Sequence, residues 1–420
     1  MITLGWVCLD GTNSWETNSS LGANLIIRQP LLQRFLDMGG TVHWYGLREE
    51  SQEIEGRVYE RLIPNPSVKR LVNDVVRDRQ KKWQEKSTQE GSMSRWVIGT
   101  ALDEILKYFE HNPLPKIDFL FAEYMDNGPA QIAYFSAILL HYAKRNVPIY
   151  VRDTERRFRY NSELRELFDE TRETMYSHRL GRYVYEDKLE TLHGQIRMVY
   201  PFHAEWDDGT NGFYRTPPVY MPIIYDDRRE LPLARLKDKN YPVLYVGNDN
   251  NRREMFEHWY GGLEHESYIY GNWRKRRGGE QYVEEWKQRN SKVTFSQDPL
   301  PMKIVLHMLQ RGFASVVVYP KHYVTLGQIT DRMAELAQAG IMPIAPSELW
   351  NAKEWTLDQF IVADIQKMNE QIDMIRGLSQ SQYDEAVWEV RRLLASQFDA
   401  DFVFNDLCVA LMKDGIKIWR

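Results

Sequence analysis

Cysteine is scarce in this sequence, and its histidines are scattered. Only Cys8 and Cys408 occur among 420 residues, too few for a disulfide framework or a cysteine-ligated zinc site. The ten histidines form no H-E-x-x-H or comparable ligand pair, so a zinc hydrolase has no support and we predict no metal ligands. Such cysteine usage is typical of a reducing compartment, and we expect a cytoplasmic protein.

Long hydrophobic runs are also lacking. The apolar run from Ala137 to Leu140 is far shorter than the ~20 residues that cross a bilayer. The first residues, MITLGWVCLDG, have neither the basic start nor the apolar stretch of about 7–15 residues that marks a signal peptide. We therefore expect no membrane partner and no export.

The chain has no excess of basic residues, since 54 Lys and Arg stand against 59 Asp and Glu and the net charge is -5. Any site for a polyanion must therefore be regional. Hydrophobic residues make up 43% and charged residues 27%, which excludes a disordered or low-complexity chain. The length predicts two large domains, at roughly 100–200 residues per domain.

The first half alternates between strand-like apolar runs and helical patterns, which predicts a parallel sheet with helices on its faces. Strands are predicted over residues 2–10, 41–46, 117–124 and 147–153. Helices are predicted over residues 21–38 and 129–146. The charge-rich stretch 69–86 is typical of a solvated helix face, with a polyanion contact as the alternative.

A turn-rich, proline-containing passage over residues 216–242 predicts the boundary between domains. After it the alternating pattern restarts. Strands are predicted over residues 243–248, 267–273, 292–297, 314–320 and 341–346. Helices are predicted over residues 251–261, 302–312 and 329–340, and then in a tail over 357–375, 380–395 and 402–412.

These patterns predict an α/β protein with two Rossmann-like, doubly wound domains that face each other across a cleft. We predict an N-terminal domain over residues 1–225 and a C-terminal domain over 240–350; the resemblance given below implies that the first binds an acceptor and the second a donor. A helical tail over 355–420 would brace both. Ligands bind at the carboxyl ends of strands in such sheets. Neither half has G-x-G-x-x-G after its first strand, and G-x-x-x-x-G-K-[ST] is absent, which argues against dehydrogenases and P-loop enzymes.

One helix and the strand after it carry the most informative motif. In ITDRMAELAQAGIMPIAP, Glu335 precedes Gly340 by five residues, and Pro343 follows. This segment resembles the donor-binding helix of GT-B nucleotide-sugar glycosyltransferases, and the resemblance spans residues 241–346. It implies that Glu335 accepts hydrogen bonds from the ribose hydroxyls of the donor, as an ionised carboxylate can. The alternative is an exposed glutamate on an ordinary helix that ends at a glycine cap.

The segment VLYVGNDNNRREMF is similar to the first strand, glycine turn and helix of that family's donor domain. The resemblance implies that Gly247 lies at the turn and that Arg252 and Arg253 grip the diphosphate at a helix N-terminus. Lys321 is a further phosphate candidate. Solvated arginines on a surface helix are the alternative.

The resemblance also implies a nucleotide sugar, with UDP as the expected nucleotide, as co-substrate. Many members of the family carry another acidic residue about eight positions before the ribose-binding glutamate, and here that position is Gly327. The usual acidic contact to the donor sugar is therefore absent. The sequence leaves open the sugar (hexose or pentose), retention or inversion, the need for a divalent metal and the oligomeric state.

In the first half, VPIYVRDTERRF ends a strand with Asp153. It resembles the corresponding strand end in bacteriophage DNA glucosyltransferases, which act on hydroxymethylated pyrimidines. That resemblance implies that Asp153 lies beside the acceptor hydroxyl, as a general base in an inverting enzyme or as an orienting group in a retaining one. Capping of the next helix is the alternative. The other candidates are Asp10, Glu123 and Asp126.

Two arginine-rich segments with nearby aromatic residues predict contacts to double-stranded DNA. The basic residues are Arg152, Arg156, Arg157 and Arg159 in the first segment and Arg274, Lys275, Arg276 and Arg277 in the second. The aromatic residues are Phe158, Tyr160, Trp273 and Tyr282. Loops that only promote solubility are the alternative.

The motif Asp399-Ala400-Asp401 is like the metal-binding D-x-D of another glycosyltransferase fold. Its place before a predicted helix favours an N-cap instead. We therefore predict a glycosyltransferase acting on hydroxymethylated pyrimidines in phage DNA, located in the host cytoplasm if a phage encodes it. The alternatives are a glycosyltransferase for a glycan, protein or small molecule, and a non-catalytic DNA-binding protein.

Overall fold

The protein is described here by a computed structural model. It describes residues 2–8, 23–46, 61–64, 67–85, 93–123, 129–152, 194–200, 214–247, 252–274, 278–296, 300, 302–320, 323–324 and 328–418. Within these ranges the chain forms two compact units. The first contains most of the chain up to Met221 and the residues from Phe404 onward, and the second contains residues 222–403 together with residues 23–30.

The first unit contains a parallel sheet flanked by helices. Its strands are β1 (Thr3–Val7), β2 (Thr41–Tyr45), β3 (Ile63–Pro64), β4 (Phe119–Glu123), β5 (Ile149–Arg152), β6 (Ile196–Tyr200) and β7 (Tyr214–Tyr220). The helices of this part of the chain are α1 (Ala23–Asp37), α2 (Ser67–Glu85), α3 (Met93–His111) and α4 (Pro129–Ala143). The α/β alternation predicted for the first half is therefore confirmed.

The strand order in this sheet is β3-β2-β1-β4-β5-β6-β7, and every paired neighbour is parallel. The chain moves outward from β1 to β3 and then returns to the other side of β1 to build β4 to β7. The topological switch point, where ligands bind in open α/β sheets, lies between the carboxyl ends of β1 and β4. The charge-rich helix α2 is amphipathic, because Val72, Val75 and Val76 are buried, which agrees with the predicted solvated face.

The second unit contains another parallel sheet. Its strands are β8 (Tyr241–Val246), β9 (Ser267–Tyr270), β10 (Val293–Phe295), β11 (Gly312–Val316), β12 (Met342–Pro346) and β13 (Ile361–Val362). The helices that follow β8 along the chain are α5 (Arg253–Gly261), α6 (Gly279–Arg289), α7 (Met302–Leu309), α8 (Asp331–Ala339), α9 (Ile365–Gly377), α10 (Gln380–Phe398) and α11 (Ala400–Lys413). The predicted alternation of strands and helices is confirmed here as well, but helix α6 and strand β13 were not predicted.

This sheet has the order β10-β9-β8-β11-β12-β13, again with parallel neighbours. Its switch point lies between β8 and β11. Successive residues of β8 enter different cores: Val243 and Tyr245 belong to one hydrophobic cluster, and Leu244 and Val246 belong to the other. Since neighbouring side chains of a strand point to opposite faces, both faces of the sheet are covered, as a doubly wound domain requires.

One sequence prediction about an element is wrong. The predicted helix over 357–375 begins only at Ile365, because residues 358–360 form a 3-10 helix and Ile361–Val362 form the edge strand β13. The predicted boundary passage, 216–242, contains the division between the two units after Met221, and its first residues belong to β7, which includes Pro217 and Pro218. A strand with proline is tolerated where it lies at the edge of a sheet, and β7 is the last strand of its sheet.

Local sequence signals explain several helix ends. Ser379 and Gln382 form a capping box at the start of α10, which satisfies amide groups that have no partner inside the helix. The Asp399 carboxylate accepts a hydrogen bond from the Asp401 N–H at 2.7 Å. Asp399 therefore caps α11, as predicted. The bracing role of the C-terminal tail stays a prediction.

Candidate functional site

The carboxyl ends of β8 and β11 form the switch point of the second sheet. The chain leaves β8 through Gly247 and enters α5, and it leaves β11 through Tyr319 on the way to α8. A direct contact joins the two exits, because the Tyr319 N–H donates to Sδ of Met255 in α5 at 3.1 Å. Residues that are distant in sequence therefore meet at the edge where such sheets bind ligands.

The turn after β8 is fixed by the neighbouring strand β9. The Gly247 N–H donates to the Tyr270 carbonyl at 2.8 Å, and the Gly247 carbonyl accepts from the Trp273 indole at 2.8 Å. A Cβ on Gly271 would lie 1.9 Å from the Gly247 oxygen. The backbones approach so closely that only glycine fits at position 271, and the turn at Gly247 is held in one place.

Helix α5 presents two arginines at its start. Arg252 is the N-cap residue and Arg253 is the first residue of the helix. The Arg253 guanidinium lies 4.4 Å from the centre of the Tyr282 ring, and such cation–π contact orients the planar group. The first amides of a helix and its positive dipole end favour anions, so this part of the unit suits a phosphate.

Tyr319 carries a hydroxyl at the same edge. Burial raises the pKa of Tyr319, while Thr330 and the positive charge of Arg252 oppose that rise. The hydroxyl is therefore neutral at physiological pH. The effect of Arg252 on the pKa of Tyr319 indicates that the start of α5 and the segment after β11 interact electrostatically.

Glu335 lies on the inner side of α8 and is 5% exposed. Its carboxylate forms an ion pair with Arg332 at 2.6 Å, one turn earlier in the helix. Helix α8 ends at Gly340, whose φ of 70° is left-handed, a conformation that glycine adopts at low cost. The alternative interpretation of this helix is therefore confirmed for the glycine cap at Gly340 and wrong for Glu335, which is buried and not exposed.

A buried ion pair lies next to the switch point of the first sheet, between the ends of β4 and β5. Glu123 at the end of β4 and Arg152 at the end of β5 are both buried, and Oε2 of Glu123 lies 3.3 Å from Nη1 of Arg152. The inclusion of Arg152 in an accessible basic cluster was therefore wrong, because its guanidinium is buried and paired with Glu123 inside the unit. Glu123, one of the candidate acidic residues, lies at the carboxyl edge of the sheet.

Several predicted site residues lie outside the described residues. These are Asp10, Asp126, Asp153, Arg156, Arg157, Phe158, Arg159, Tyr160, Lys275, Arg276, Arg277 and Lys321. Their predicted roles stay predictions. Of the described candidates, Gly247 follows β8, Arg252 and Arg253 begin α5, and Glu335 lies in α8, the helix that follows β11 along the chain. Their roles in donor binding also stay predictions.

Arg274 is the described member of the second basic segment. It forms ion pairs with Glu280 and with Glu284, the latter at 3.3 Å. Trp273 and Tyr282, which the sequence suggested as base-stacking residues, are 1% and 6% exposed and belong to the hydrophobic core of this unit. That suggestion was wrong, because rings so deeply packed offer no open face to a base.

Sequence reasoning missed two residues near the candidate site and assigned a third another role. Tyr319 joins β11 to α5 and Arg332 pairs with Glu335, while Tyr282, suggested for base stacking, instead orients Arg253. The spacing of three residues between Arg332 and Glu335 could have indicated their pairing on one helix face. The other two contacts join distant segments, so no local signal was available.

The described part of the chain has neither a cluster of metal ligands nor a membrane-spanning helix. It contains no group of three or more His, Cys, Asp or Glu side chains arranged to hold a metal ion. None of its helices has both the length and the apolar character needed to span a bilayer.

No protein-family model and no curated protein matches this chain. Solved structures do. The DNA-modifying enzyme β-glucosyltransferase, solved with and without uridine diphosphoglucose, aligns with a TM-score of 0.56 and 13% identity over 98% of this chain and 99% of that chain. T4 phage β-glucosyltransferase in complex with UDP and Mn²⁺ aligns with a TM-score of 0.55 and 12% identity over the same shares.

Trehalose-6-phosphate synthase aligns with a TM-score of 0.57 and 10% identity over 98% of this chain and 99% of that chain. Identities this low establish the fold and nothing finer. The chain has the two-domain GT-B fold, and the resemblance to GT-B glycosyltransferases, including the phage DNA glucosyltransferase, is confirmed at the level of structure.

Proposed function

We propose that this protein is a glycosyltransferase that moves a sugar from a UDP-sugar to the hydroxyl of a hydroxymethylated pyrimidine in DNA. The observation that carries the proposal is the GT-B fold, in which the helix that follows β11 carries a buried carboxylate, Glu335. A carboxylate accepts two hydrogen bonds from vicinal hydroxyls, and the ribose of a nucleotide offers such a pair. Arg252 and Arg253 supply positive charge at the start of α5, the helix that follows β8.

The proposed reaction breaks the bond between the anomeric carbon of the sugar and the diphosphate oxygen and forms a bond to the acceptor oxygen. Negative charge grows on the departing diphosphate. Arg252, Arg253 and the first amides of α5 are positioned by the fold before the reaction, and preorganised donors of this kind lower the barrier. Lys321 is a further proposed phosphate contact.

The acceptor hydroxyl must lose its proton in the reaction. We assign this step, or the orientation of the hydroxyl if the configuration is retained, to Asp153, which follows directly after β5 in the sequence. Glu123 is the runner-up, because it ends β4 at the switch point of the first sheet. Its carboxylate is already engaged in the ion pair with Arg152.

The choice of DNA as the acceptor has two supports. One solved structure with the same fold is a DNA-modifying β-glucosyltransferase. The basic segments around Arg156 and Arg157 and over Arg274 to Arg277 provide positive side chains for binding the phosphates of DNA. The other fold relative, a trehalose-6-phosphate synthase, supports the second candidate, a glycosyltransferase with a small-molecule or glycan acceptor.

The deciding experiment is mass spectrometry of nucleosides from DNA that contains hydroxymethylcytosine or hydroxymethyluracil. The DNA is incubated with the protein and a panel of UDP-sugars, and unmodified DNA of the same sequence is the control. A mass gain of one hexose or pentose on the modified base is expected. If UDP-sugar binds or is hydrolysed and no base gains mass, the acceptor is not DNA. If no nucleotide sugar binds, the chain is not a glycosyltransferase.

A further inference from the structure

Arg391 in α10 is a buried cation far from the proposed phosphate contacts in sequence. Its side chain is 3% exposed. The guanidinium reaches four acceptors: Nε donates to the Ala337 carbonyl at 2.9 Å, and Nη2 donates to the Gln338 carbonyl at 3.0 Å and the Leu231 carbonyl at 2.8 Å. Nη1 lies 2.9 Å from Oε2 of Glu230.

Two of these acceptors belong to the last turn of α8, the helix that carries Glu335. The last four carbonyls of a helix have no partner inside the helix, and cations stabilise the negative end of the helix dipole. Arg391 satisfies the carbonyls of Ala337 and Gln338. Lys239 binds the Gly340 carbonyl at 3.1 Å. The buried side chains of Arg391 and Lys239 therefore hold the C-terminal end of α8.

The same network ties α8 to residues 225–231, which follow directly after the point where the chain enters the second unit. The Tyr225 hydroxyl donates to Oε1 of Glu230 at 2.5 Å. The Gln338 amide donates to the Asp226 carbonyl at 3.0 Å, and the Leu231 N–H donates to the Gln338 carbonyl at 2.8 Å. Glu230 binds Arg391 from this segment, so Arg391 is the centre of the network.

Glu335 precedes Ala337 by only two residues in the same nine-residue helix. A helix this short moves as one piece, so a shift of its last turn displaces the Glu335 carboxylate. Arg391 makes its bonds to backbone atoms of α8, which fixes the helix itself without engaging the Glu335 side chain. None of the four acceptors is on the side chain of a residue assigned to substrate binding.

We propose that Arg391 is a positioning residue for donor binding: it holds α8 against residues 225–231 and thereby sets the place of the Glu335 carboxylate. The inference rests on the proposed function, because it assigns to Arg391 a role in nucleotide-sugar affinity. In this proposal Arg391 contacts neither the donor nor the acceptor. Its loss should raise the KM for the donor and leave the KM for the acceptor and the kcat at saturating donor near their wild-type values.

The test compares three variants of the full chain. Arg391→Met removes all four bonds and should raise the Kd for UDP, measured by calorimetry, about tenfold or more. Glu230→Gln keeps Arg391 and removes only the opposing charge, and it should raise that Kd more than twofold but less than Arg391→Met does. Arg392→Met is the matched control, because the neighbouring Arg392 is exposed, and its Kd should equal that of the wild type.

Hydrogen exchange separates positioning from a general loss of stability. In Arg391→Met the amides of residues 333–340 should exchange faster, while those of β8 and β11 keep their protection. If Arg391→Met does not fold, Glu230→Gln decides the matter. Wild-type UDP affinity in the folded variants overturns the positioning role. Failure of the wild-type protein to bind UDP or any UDP-sugar overturns the proposed function itself, so the two failures are distinguished by the first titration.

Discussion

Glu335 is a nearly buried carboxylate whose partner in the ligand-free protein is Arg332. When the hydroxyls of a ligand donate to a buried carboxylate such as that of Glu335, we expect a strong contact. Hydrogen bonds to charged groups contribute about 1.5–3 kcal/mol, and each 1.4 kcal/mol is about tenfold in affinity.

Glu335→Ala should therefore weaken the binding of UDP-sugars about 10- to 100-fold. Calorimetry with UDP-glucose and with free UDP measures this. Glu389→Ala, a change of the same residue type at an exposed position of α10, is the control. An unchanged Kd in Glu335→Ala would remove Glu335 from the donor site.

A second residue-scale prediction concerns the proposed base. Asp153→Asn removes the proton acceptor and keeps the size of the side chain, so turnover should fall about 100- to 10,000-fold while the Kd for UDP changes little. Steady-state kinetics and calorimetry on one preparation give both quantities. Wild-type turnover in Asp153→Asn, together with a loss in Glu123→Gln, would transfer the role to Glu123.

The turn between β8 and α5 depends on the close approach of Gly271 to Gly247. An added Cβ would lie 1.9 Å from a backbone oxygen, and backbone cannot yield as a flexible side chain can. We expect Gly271→Ala to destabilise the second unit by about 1–3 kcal/mol, the usual range for overpacking, and to weaken UDP binding. Thermal unfolding followed by circular dichroism, with and without UDP, measures both effects.

Gly377→Ala is the control for Gly271→Ala, because no heavy atom lies within 4 Å of a Cβ at position 377. That variant should unfold at or slightly above the wild-type temperature. Equal unfolding temperatures for Gly271→Ala and Gly377→Ala would contradict the account of the turn.

Lys239 fixes the opposite edge of the second sheet. Its ammonium donates to the carbonyls of Gln310, Gly312 and Gly340 at 2.9, 2.9 and 3.1 Å. Burial lowers the pKa of Lys239 to about 7, partly opposed by Asp384. Between pH 7 and about 10 the unfolded chain therefore binds more protons than the folded chain at this residue, so its contribution to stability rises with pH over that range.

Lys239→Met leaves three carbonyls without this donor and should lower the unfolding temperature. The stability of the wild type relative to Lys239→Met should grow as the pH is raised from 7 to 10. Urea unfolding of both proteins at pH 7, 8.5 and 10 tests this, with the exposed Lys237→Met as the control. A difference that is independent of pH would show that Lys239 titrates in its ordinary range.

At the scale of the whole molecule, the proposed DNA acceptor requires a regional positive surface on a chain with a net charge of -5. Binding through phosphates releases counterions, so the logarithm of affinity falls linearly with the logarithm of salt concentration, with a slope of about -0.9 per phosphate contacted. Arg274 is already paired with Glu280 and Glu284. We therefore expect the phosphate contacts of this segment to come mainly from Lys275, Arg276 and Arg277.

Replacing Lys275, Arg276 and Arg277 together by Gln should weaken duplex binding and reduce the steepness of the salt dependence by about two to three units of slope. Fluorescence anisotropy at 50–200 mM salt measures it. The control triple replaces the exposed Lys353, Lys367 and Arg376 by Gln and should leave the slope unchanged. A flat salt titration of the wild type would argue against DNA as the acceptor.

Elements with a clear period or a clear stop were predictable from the sequence. The alternation of strands and helices in both halves, the glycine cap at Gly340 and the N-cap at Asp399 were confirmed, because apolar periodicity and local capping chemistry act over a few residues. Helices α3 and α6 and strands β3, β6, β7 and β13 were not predicted. Strands β3 and β13 have two residues each and β7 contains two prolines, so their sequences carry little strand signal.

Patterning along the chain was therefore enough to predict the fold class and two successive sheets, and a local motif indicated Glu335 as a candidate. The tertiary structure settled which charged side chains are already paired. It paired Arg152 with Glu123 and Arg274 with two glutamates, placed Trp273 and Tyr282 in a core, and brought Arg391 to the end of α8. Burial and partner choice arise from segments far apart in sequence, and no local pattern encodes them.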